Sequence, residues 1–459
     1  EMLEVNGFGP KKVRVVWQEM GVESIGELWY ACNENRLVEY KGFGLKTQED
    51  LKNKLEYFLK SRDKLHLDAA EEEADFVCTW LSGKLPGIRV APVGELRRCC
   101  PVVSTIEILA GYSGDLSEIF DEQTLVLEEQ KENTYRVRLE NNTAVLIHRC
   151  EPAEFGSKLF KHTGSPAFVE AFAKAHPGLD FKNLEQEDDV FAKANTAFVV
   201  PELRDLSGAT LNVAPDRPGL IDLADIKGVL HVHTTWSDGL HSLRDMCTYA
   251  QSLGYAYIGI TDHSQSAFYA NGLKPDRVLA QMEEIDALNA ELAPFRIFKG
   301  IESDILNDGS LDYDDALLEK FDFVIASVHS NLRMSLEKAT ERVVRAIENP
   351  FTTILGHPTG RLLLSREGYP LDWEKVFDAC VQHKVSIELN ANPYRLDIDW
   401  TLIPEATRRG IPISINPDAH SKDGIHDIRY GVKVARKGAL TAAGCLNTRG
   451  AEEWLRISR

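Results

Sequence analysis

A short apolar run that ends in a histidine or an acid, then gives way to an amphipathic stretch, recurs from Val229 to His420 and constrains the fold more than any other feature. The first instance is GVLHVHTTWSDG, Gly228 to Gly239. Alternate residues of a strand share a face, so His231 and His233 point together at one ion, and the following turn returns Asp238 towards it. One His-x-His pair alone is weak. The recurrence is what carries weight: His263 follows the second run in TDHS, Glu302 the third in GIESDI, His329 the fourth in SVHS, His357 the fifth in GHPTGR, and Asp418 with His420 the seventh in NPDAH.

Strands are expected at Val229 to His233, Ala256 to Thr261, Phe295 to Ile301, Phe323 to Val328, Thr353 to Gly356, Val385 to Leu389 and Ile411 to Ile415. Helical periodicity falls between them, at Ser242 to Leu253, Pro275 to Leu292, around Leu317, at Leu336 to Ile347, Trp373 to His383 and Ile403 to Arg409, with Glu452 to Ile457 closing the chain. Seven such β-then-α units argue for a parallel barrel. Every candidate ligand then lies at the C-terminal end of a strand, the face on which such barrels build active sites, so residues distant in sequence converge on one pocket. His241, His383 and His426 fall in helical or loop segments and read as ordinary surface residues.

The 459 residues allow two or three domains, and a net charge of -19 argues against loose attraction to nucleic acid while permitting a local basic patch. No apolar run approaches the ~18 residues of a membrane span. A cytoplasmic protein with reduced thiols is expected, the eight cysteines being scattered without a metal-type CxxC. Near the start, VNGFGPKKV (Val5 to Val13) and KGFGLKT (Lys41 to Thr47) are glycine-bracketed turns beside helical patterns, including Ile25 to Asn35 and Gln48 to Lys60. They resemble helix-hairpin-helix turns, in which Gly7, Gly9, Gly42 and Gly44 permit close backbone approach while Lys11 and Lys12 hold a DNA phosphate without reading sequence. Domains are expected at 1–62 (hairpin helices), 63–204 (an α+β module) and 225–459 (the barrel), with a Gly-, Pro- and Asp-rich linker over 205–224.

Within the second region, VGELRRCCPVVSTIEILAG (Val93 to Gly111) resembles the nucleotidyltransferase palm of family X DNA polymerases: Gly94, Arg97 and Arg98 match, as do Phe155-Gly156 and Thr163-Gly164-Ser165 further on. The family's metal-binding aspartates do not match, falling on Thr105, Glu107 and Leu146. Two-metal phosphoryl transfer needs closely spaced carboxylates, so a degenerate, inactive polymerase site is expected. The last half of the chain resembles the PHP (polymerase and histidinol phosphatase) family. That resemblance implies a distorted seven-stranded barrel and a trinuclear site of manganese, zinc or iron, with His231, His233, Asp238, His263, Glu302, His329, His357, Asp418 and His420 as ligands and Glu302 bridging. Together the two point to a bacterial family X polymerase with a C-terminal PHP domain, lacking the family's N-terminal helical domain.

The implied activity is manganese-dependent 3′-to-5′ exonuclease or 3′-phosphatase action on DNA ends or gaps, by a monomer free of membranes. Arg361 and Arg395 are candidate phosphate clamps, because a guanidinium matches two phosphate oxygens. Alternatives are a gap-filling polymerase with substitute ligands, a non-catalytic DNA-binding scaffold and a phosphoesterase for a small metabolite.

Overall fold

The computed structural model describes residues 2–5, 8–60, 64–121, 123–205 and 219–457. Most of the expected linker therefore lies outside the described residues. The chain divides into two compact units, one of Glu1–Glu56 with Gly219–Arg459 and the other of Tyr57–Pro218. The hairpin segment thus belongs with the barrel, although some 160 residues separate them in sequence.

Three helices make the hairpin segment: α1 (Pro10–Gln18), α2 (Ile25–Asn33) and α3 (Leu45–Lys60). Gly9 precedes α1 with a proline at the first turn, and Gly44 precedes α3, so the two turns repeat the sequence Gly-Phe-Gly. Their phenylalanines, Phe8 and Phe43, are buried with ring centroids 6.4 Å apart, which draws the starts of α1 and α3 together. The side chain of Ser24 caps α2 by accepting from the Glu27 amide at 3.1 Å.

The Tyr57–Pro218 unit holds helix α4 (Leu67–Lys84) and a five-stranded sheet, β1 (Arg89–Val93), β2 (Ile106–Gly111), β3 (Leu125–Lys131), β4 (Thr134–Leu139) and β5 (Ala144–Cys150). The spatial order is β1-β2-β5-β4-β3, with only β2 and β5 parallel. Helix α5 (Phe155–Thr163) follows the sheet. Arg97 and Arg98 are structural here: Arg97 makes a two-point contact with Glu187, and Arg98 bonds Asp205 at 2.7 Å and the Thr163 carbonyl at 2.8 Å.

The barrel strands are β6 (Gly228–Val229), β7 (Tyr257–Ile260), β8 (Arg296–Asp304), β9 (Phe323–Ser327), β10 (Ile354–Leu355), β11 (Ser386–Asn390) and β12 (Ile413–Asn416), all parallel and adjacent in sequence order. A bridge between Val232 and Ala419 joins the first edge to the last. Regular pairing of the expected Val229–His233 strand stops at Val229, because beyond it the backbone turns to Ala419: the Ala419 amide donates to His231 O at 3.1 Å, and the His233 amide to Ala419 O at 2.9 Å. Helix Ile428–Lys437 was not expected from the sequence; its apolar face is buried.

The end of the barrel away from the ligands is filled by Leu230, Tyr257, Phe298, Phe323, Ile325, Ile354 and Leu446, closed by Trp454 of the C-terminal helix. The Trp454 ring lies 4.6 Å from Phe298 and 5.0 Å from Phe323, and its removal would cost about 3–5 kcal/mol. A glycine on β8 makes the fit possible: a Cβ on Gly300 would lie 2.5 Å from the Phe323 ring. Among the described residues no helix is long and apolar enough to cross a membrane.

Candidate metal centre

Six of the seven barrel strands deliver ligands at one level, because a parallel sheet in register ends its strands together; the sixth, β11, supplies none of the nine. Glu302, near the end of β8, is the hub. Its Oε1 lies 2.9 Å from His357 Nε2, 3.1 Å from His329 Nε2 and 3.4 Å from His231 Nε2, while Oε2 lies 2.9 Å from His263 Nδ1 and 3.7 Å from His233 Nε2. Asp418 Oδ1 is 3.1 Å from His233 Nε2, and Asp238 reaches His263 at 3.6 Å and His420 at 3.5 Å. The structure thus brings the nine expected side chains into one cluster. Their donor atoms form overlapping groups within 4.8 Å: His231, His233 and Glu302; His263, Glu302 and His329; and His233, Asp238, His263 and His420.

Whether these residues fit cations is tested by what else satisfies them. His231 Nε2, His233 Nδ1, Asp238 Oδ2, His263 Nδ1, Glu302 Oε2, His357 Nδ1 and His420 Nε2 are buried without a hydrogen-bond partner among the described residues. Buried polar atoms are rarely left so, and a cluster of them on imidazoles and carboxylates fits divalent ions. The carboxylates and imidazoles of the cluster also set one another's charge. Burial, with His420 and His263 beside it, pushes His233 down to about 3, so that ring is neutral and free to ligate. Burial also opposes charge on His329, but Glu302 and Asp304 outweigh it and lift its pKa to about 10.

Several supporting residues escaped the sequence reading. Glu388, mid-strand in β11, meets His231 Nδ1 at 2.7 Å with one oxygen and accepts the His357 amide at 2.6 Å with the other, fixing His231 with Nε2 inward. Its signal was an acid inside an otherwise apolar run. Asp262 accepts from the Thr234 amide and hydroxyl at 2.8 Å each and from Gln281 at 2.6 Å, which pins the loop between His233 and Asp238. Asp304 bonds His329 Nδ1. Asp418 sits at φ +52, the left-handed region that aspartate tolerates better than most residues.

The hairpin segment supplies the remainder. Tyr30 of α2 accepts from Arg395 Nε at 2.8 Å and donates to Asp418 Oδ2 at 3.4 Å. Burial lifts the Tyr30 pKa well above its ordinary value, so the hydroxyl keeps that proton. Glu34 joins Asp418 and His420 in a further group of ligand-type atoms within 4.8 Å, and Arg36 lies 4.3 Å over the Tyr269 ring. Trp29 stacks on Tyr394 at 4.0 Å, Arg366 bonds Glu27 at 3.0 Å, and a Cβ on Gly26 would strike the Ser365 hydroxyl. A cleft beside the cluster is lined by Tyr30, Arg36, Tyr269, His329, Arg366 and Arg395.

Of the two arginines expected to clamp phosphate, Arg395 faces this cleft and lies 3.8 Å from Asp418. Arg361 corrects the expectation. Its guanidinium donates to Arg395 O at 2.9 Å, to Asp399 at 2.7 Å and to Leu396 O, so it braces the loop that carries Arg395 and is not among the residues that line the cleft.

Of the expected DNA-contacting residues, Gly7 lies outside the described residues. A Cβ on Gly9, Gly42 or Gly44 would meet nothing within 4 Å, and only Gly42 has positive φ, at +98. The fold itself therefore does not account for glycine at positions 9 and 44. Lys11 is exposed and Lys12 lies 5.9 Å from the Phe43 ring. In the other unit Glu107 on β2 pairs directly with Leu146 on β5, two interior strands of the sheet, and Thr105 lies in the bend just before β2.

The PHP domain family matches residues 230–391. The chain is 33% identical to the DNA polymerase/3'-5' exonuclease PolX of Bacillus subtilis (strain 168), over 98% of this chain and 83% of that protein. It is 28% identical to a probable phosphatase of Thermoanaerobacter sp. (strain X514), over 44% of this chain and 89% of that protein. A polymerase beta of Leishmania infantum, solved as a ternary P/T complex, aligns with 45% of this chain and 97% of its own at 15% identity and a TM-score of 0.26, too low to carry an argument. With a parallel barrel that the PHP family matches, and a match to PolX over 98% of this chain, the chain belongs to the family X polymerases that carry a C-terminal PHP domain.

Proposed function

We propose that this protein hydrolyses phosphate esters at DNA 3′ ends, as exonuclease or 3′-phosphatase, through the barrel, and that its polymerase site is inactive. The observation that carries the reading is the convergence on Glu302 of buried imidazoles and carboxylates whose inward atoms have no other partner. His231, His233, Asp238, His263, Glu302, His329, His357, Asp418 and His420 would hold divalent ions, three in number and of the manganese, zinc or iron class given the mixed imidazole and carboxylate donors. When bound, such ions supply an activated water near neutral pH and neutralise phosphate oxygens.

The protein's own residues do the rest. Arg395 and Arg36 line the approach and would hold the scissile phosphate and its neighbour, a guanidinium being a planar fork that matches two oxygens, while Arg366 beside them is held by Gly360 O and Glu27. Tyr30 fixes Arg395 and Asp418 relative to one another. The hairpin turns would track the DNA backbone through Gly9, Gly42, Gly44, Lys11 and Lys12, which explains the glycines at 9 and 44 that the fold does not need. The Bacillus relative's name supports the exonuclease reading, and the hairpin segment favours DNA over a small metabolite.

The test is digestion of 3′-labelled DNA by the purified chain. A strong chelator should abolish it and manganese restore it, better than magnesium, which prefers oxygen-only sites. His233→Ala should eliminate activity and His383→Ala leave it unchanged. Digestion that survives in His233→Ala after chelation overturns the reading.

A further inference from the structure

The Tyr57–Pro218 unit contains a second group of ligand-type side chains, well away in sequence from the barrel cluster: Glu107, His148 and His162, whose donor atoms all lie within 4.8 Å of one another. From the juxtaposition of these three on β2, β5 and α5 we infer a mononuclear site for a divalent ion of the zinc class, built where the family X polymerases keep carboxylates.

The geometry follows from register. In the parallel pair of β2 and β5, Glu107 stands opposite Leu146, and alternation puts His148 on the same face as Leu146. Glu107 Oε2 thereby comes 2.7 Å from His148 Nε2. Helix α5 then brings His162 over the sheet, its ring stacked on that of His148 with centroids 4.2 Å apart and planes 27° off parallel. The remaining nitrogen of His148, Nδ1, lies 3.2 Å from the Thr134 hydroxyl on β4. That contact serves as an outer partner for the imidazole, in the place where a carboxylate, a carbonyl or water is more usual: it fixes the ring and leaves Nε2 to the ion. Among the described residues His162 has no hydrogen bond of its own, so its nitrogen is unused.

Space has been left for the carboxylate. Gly94 sits at φ +65, and a Cβ there would fall 2.6 Å from Glu107 Oε1, so any larger residue would drive Glu107 from the position it shares with the histidines. Donor atoms around one ion at about 2.0–2.2 Å lie roughly 3–3.6 Å apart. The Glu107–His148 pair, at 2.7 Å, would open slightly to that spacing, and the three groups already stand within 4.8 Å of one another.

Two imidazoles and one carboxylate select zinc, cobalt or nickel over magnesium, which demands oxygen. Three protein ligands leave at least one coordination position open, and the site is half-buried, with the side chains of His148 and Glu107 exposed by 13% and 28%. The open position faces solvent and would take an anionic oxygen such as that of a phosphate. The site differs in kind from a polymerase centre: it holds one nitrogen-ligated ion where two oxygen-ligated ions would be needed for nucleotidyl transfer.

The test isolates this site by silencing the other. A full-length His233→Ala/Glu302→Ala/His420→Ala chain, in which none of the barrel's groups keeps three ligand-type side chains, is stripped by chelator and titrated with Co²⁺, followed by its visible absorption, and with Zn²⁺ in competition. One equivalent should bind with the spectrum of a nitrogen- and oxygen-ligated ion. Adding His162→Phe, which keeps the ring stack, or Glu107→Gln, which keeps shape, should each weaken binding at least 100-fold while circular dichroism and the melting profile stay as in the parent. No bound equivalent in the silenced chain, or equal binding in the His162→Phe and Glu107→Gln chains, overturns the proposal and leaves Glu107 and His148 as an ordinary ion pair.

Discussion

The Tyr30 hydroxyl donates to Asp418 Oδ2 at 3.4 Å, a contact between residues 388 positions apart. It makes α2 of the hairpin segment part of the wall around the ligand cluster, because the same oxygen accepts from Arg395. Tyr30→Phe keeps the ring and removes both contacts. Hydrogen bonds to charged groups contribute about 1.5–3 kcal/mol, so kcat/KM for 3′-end digestion should fall roughly 10- to 100-fold. Metal content should stay at the parental value. Unchanged kinetics would show that the hairpin segment merely covers the barrel.

Glu388 meets the ring of His231, the backbone amide of His357 and the side-chain amide of Asn416, the last at 3.0 Å. Glu388→Gln keeps the volume but loses the charge that orients His231. Metal affinity measured by competition with a chelating dye should drop about 10- to 100-fold, the range usual for outer partners of a ligand. Parental affinity in this variant would mean that His231 is held by packing alone.

Lys11 and Lys12 lie at the start of α1, away from the ligand set in sequence and charge. Changing both to alanine should raise KM on DNA, flatten the dependence of binding on salt by about two phosphate contacts, and leave hydrolysis of a small phosphoester unaltered. Equal DNA affinity at low salt would return the hairpin turns to a purely structural role.

Primer extension should be absent. Glu107 pairs with Leu146, so restoring aspartate at Thr105 alone leaves the neighbouring strand without a carboxylate. Thr105→Asp should therefore add no nucleotide to a gapped duplex in magnesium or manganese. A gain of extension from that one change would show that another residue replaces the missing ligand.

The barrel and the converging ligands were legible because both depend on local pattern: apolar runs of strand length, each followed by its ligand, on a fold that aligns strand ends. Docking of α2 was not legible. Nothing around Tyr30, Glu34 or Arg36 signals a partner in the barrel, since Trp29 stacking on Tyr394 and Gly26 fitting Ser365 are long-range matches of shape. Glu388 left a weaker trace, an acid in an apolar strand, whose meaning needs the position of His231. Arg361 misled for a related reason. Its place after His357 suggests the pocket, while its actual partners, at positions 395, 396 and 399, come from a loop whose path no spacing rule gives.

The bridge between Val232 and Ala419 sits between His231 and His233 on one side and Asp418 and His420 on the other. The joint that turns an open row of strands into a ring is thus made by the same two tripeptides that project ligands inward. A slip of one residue in that joint would flip alternate side chains, carrying His231 and His233 out of the cluster as it misaligned the edges. Closure of the ring and delivery of His231, His233, Asp418 and His420 to the site are consequently one event.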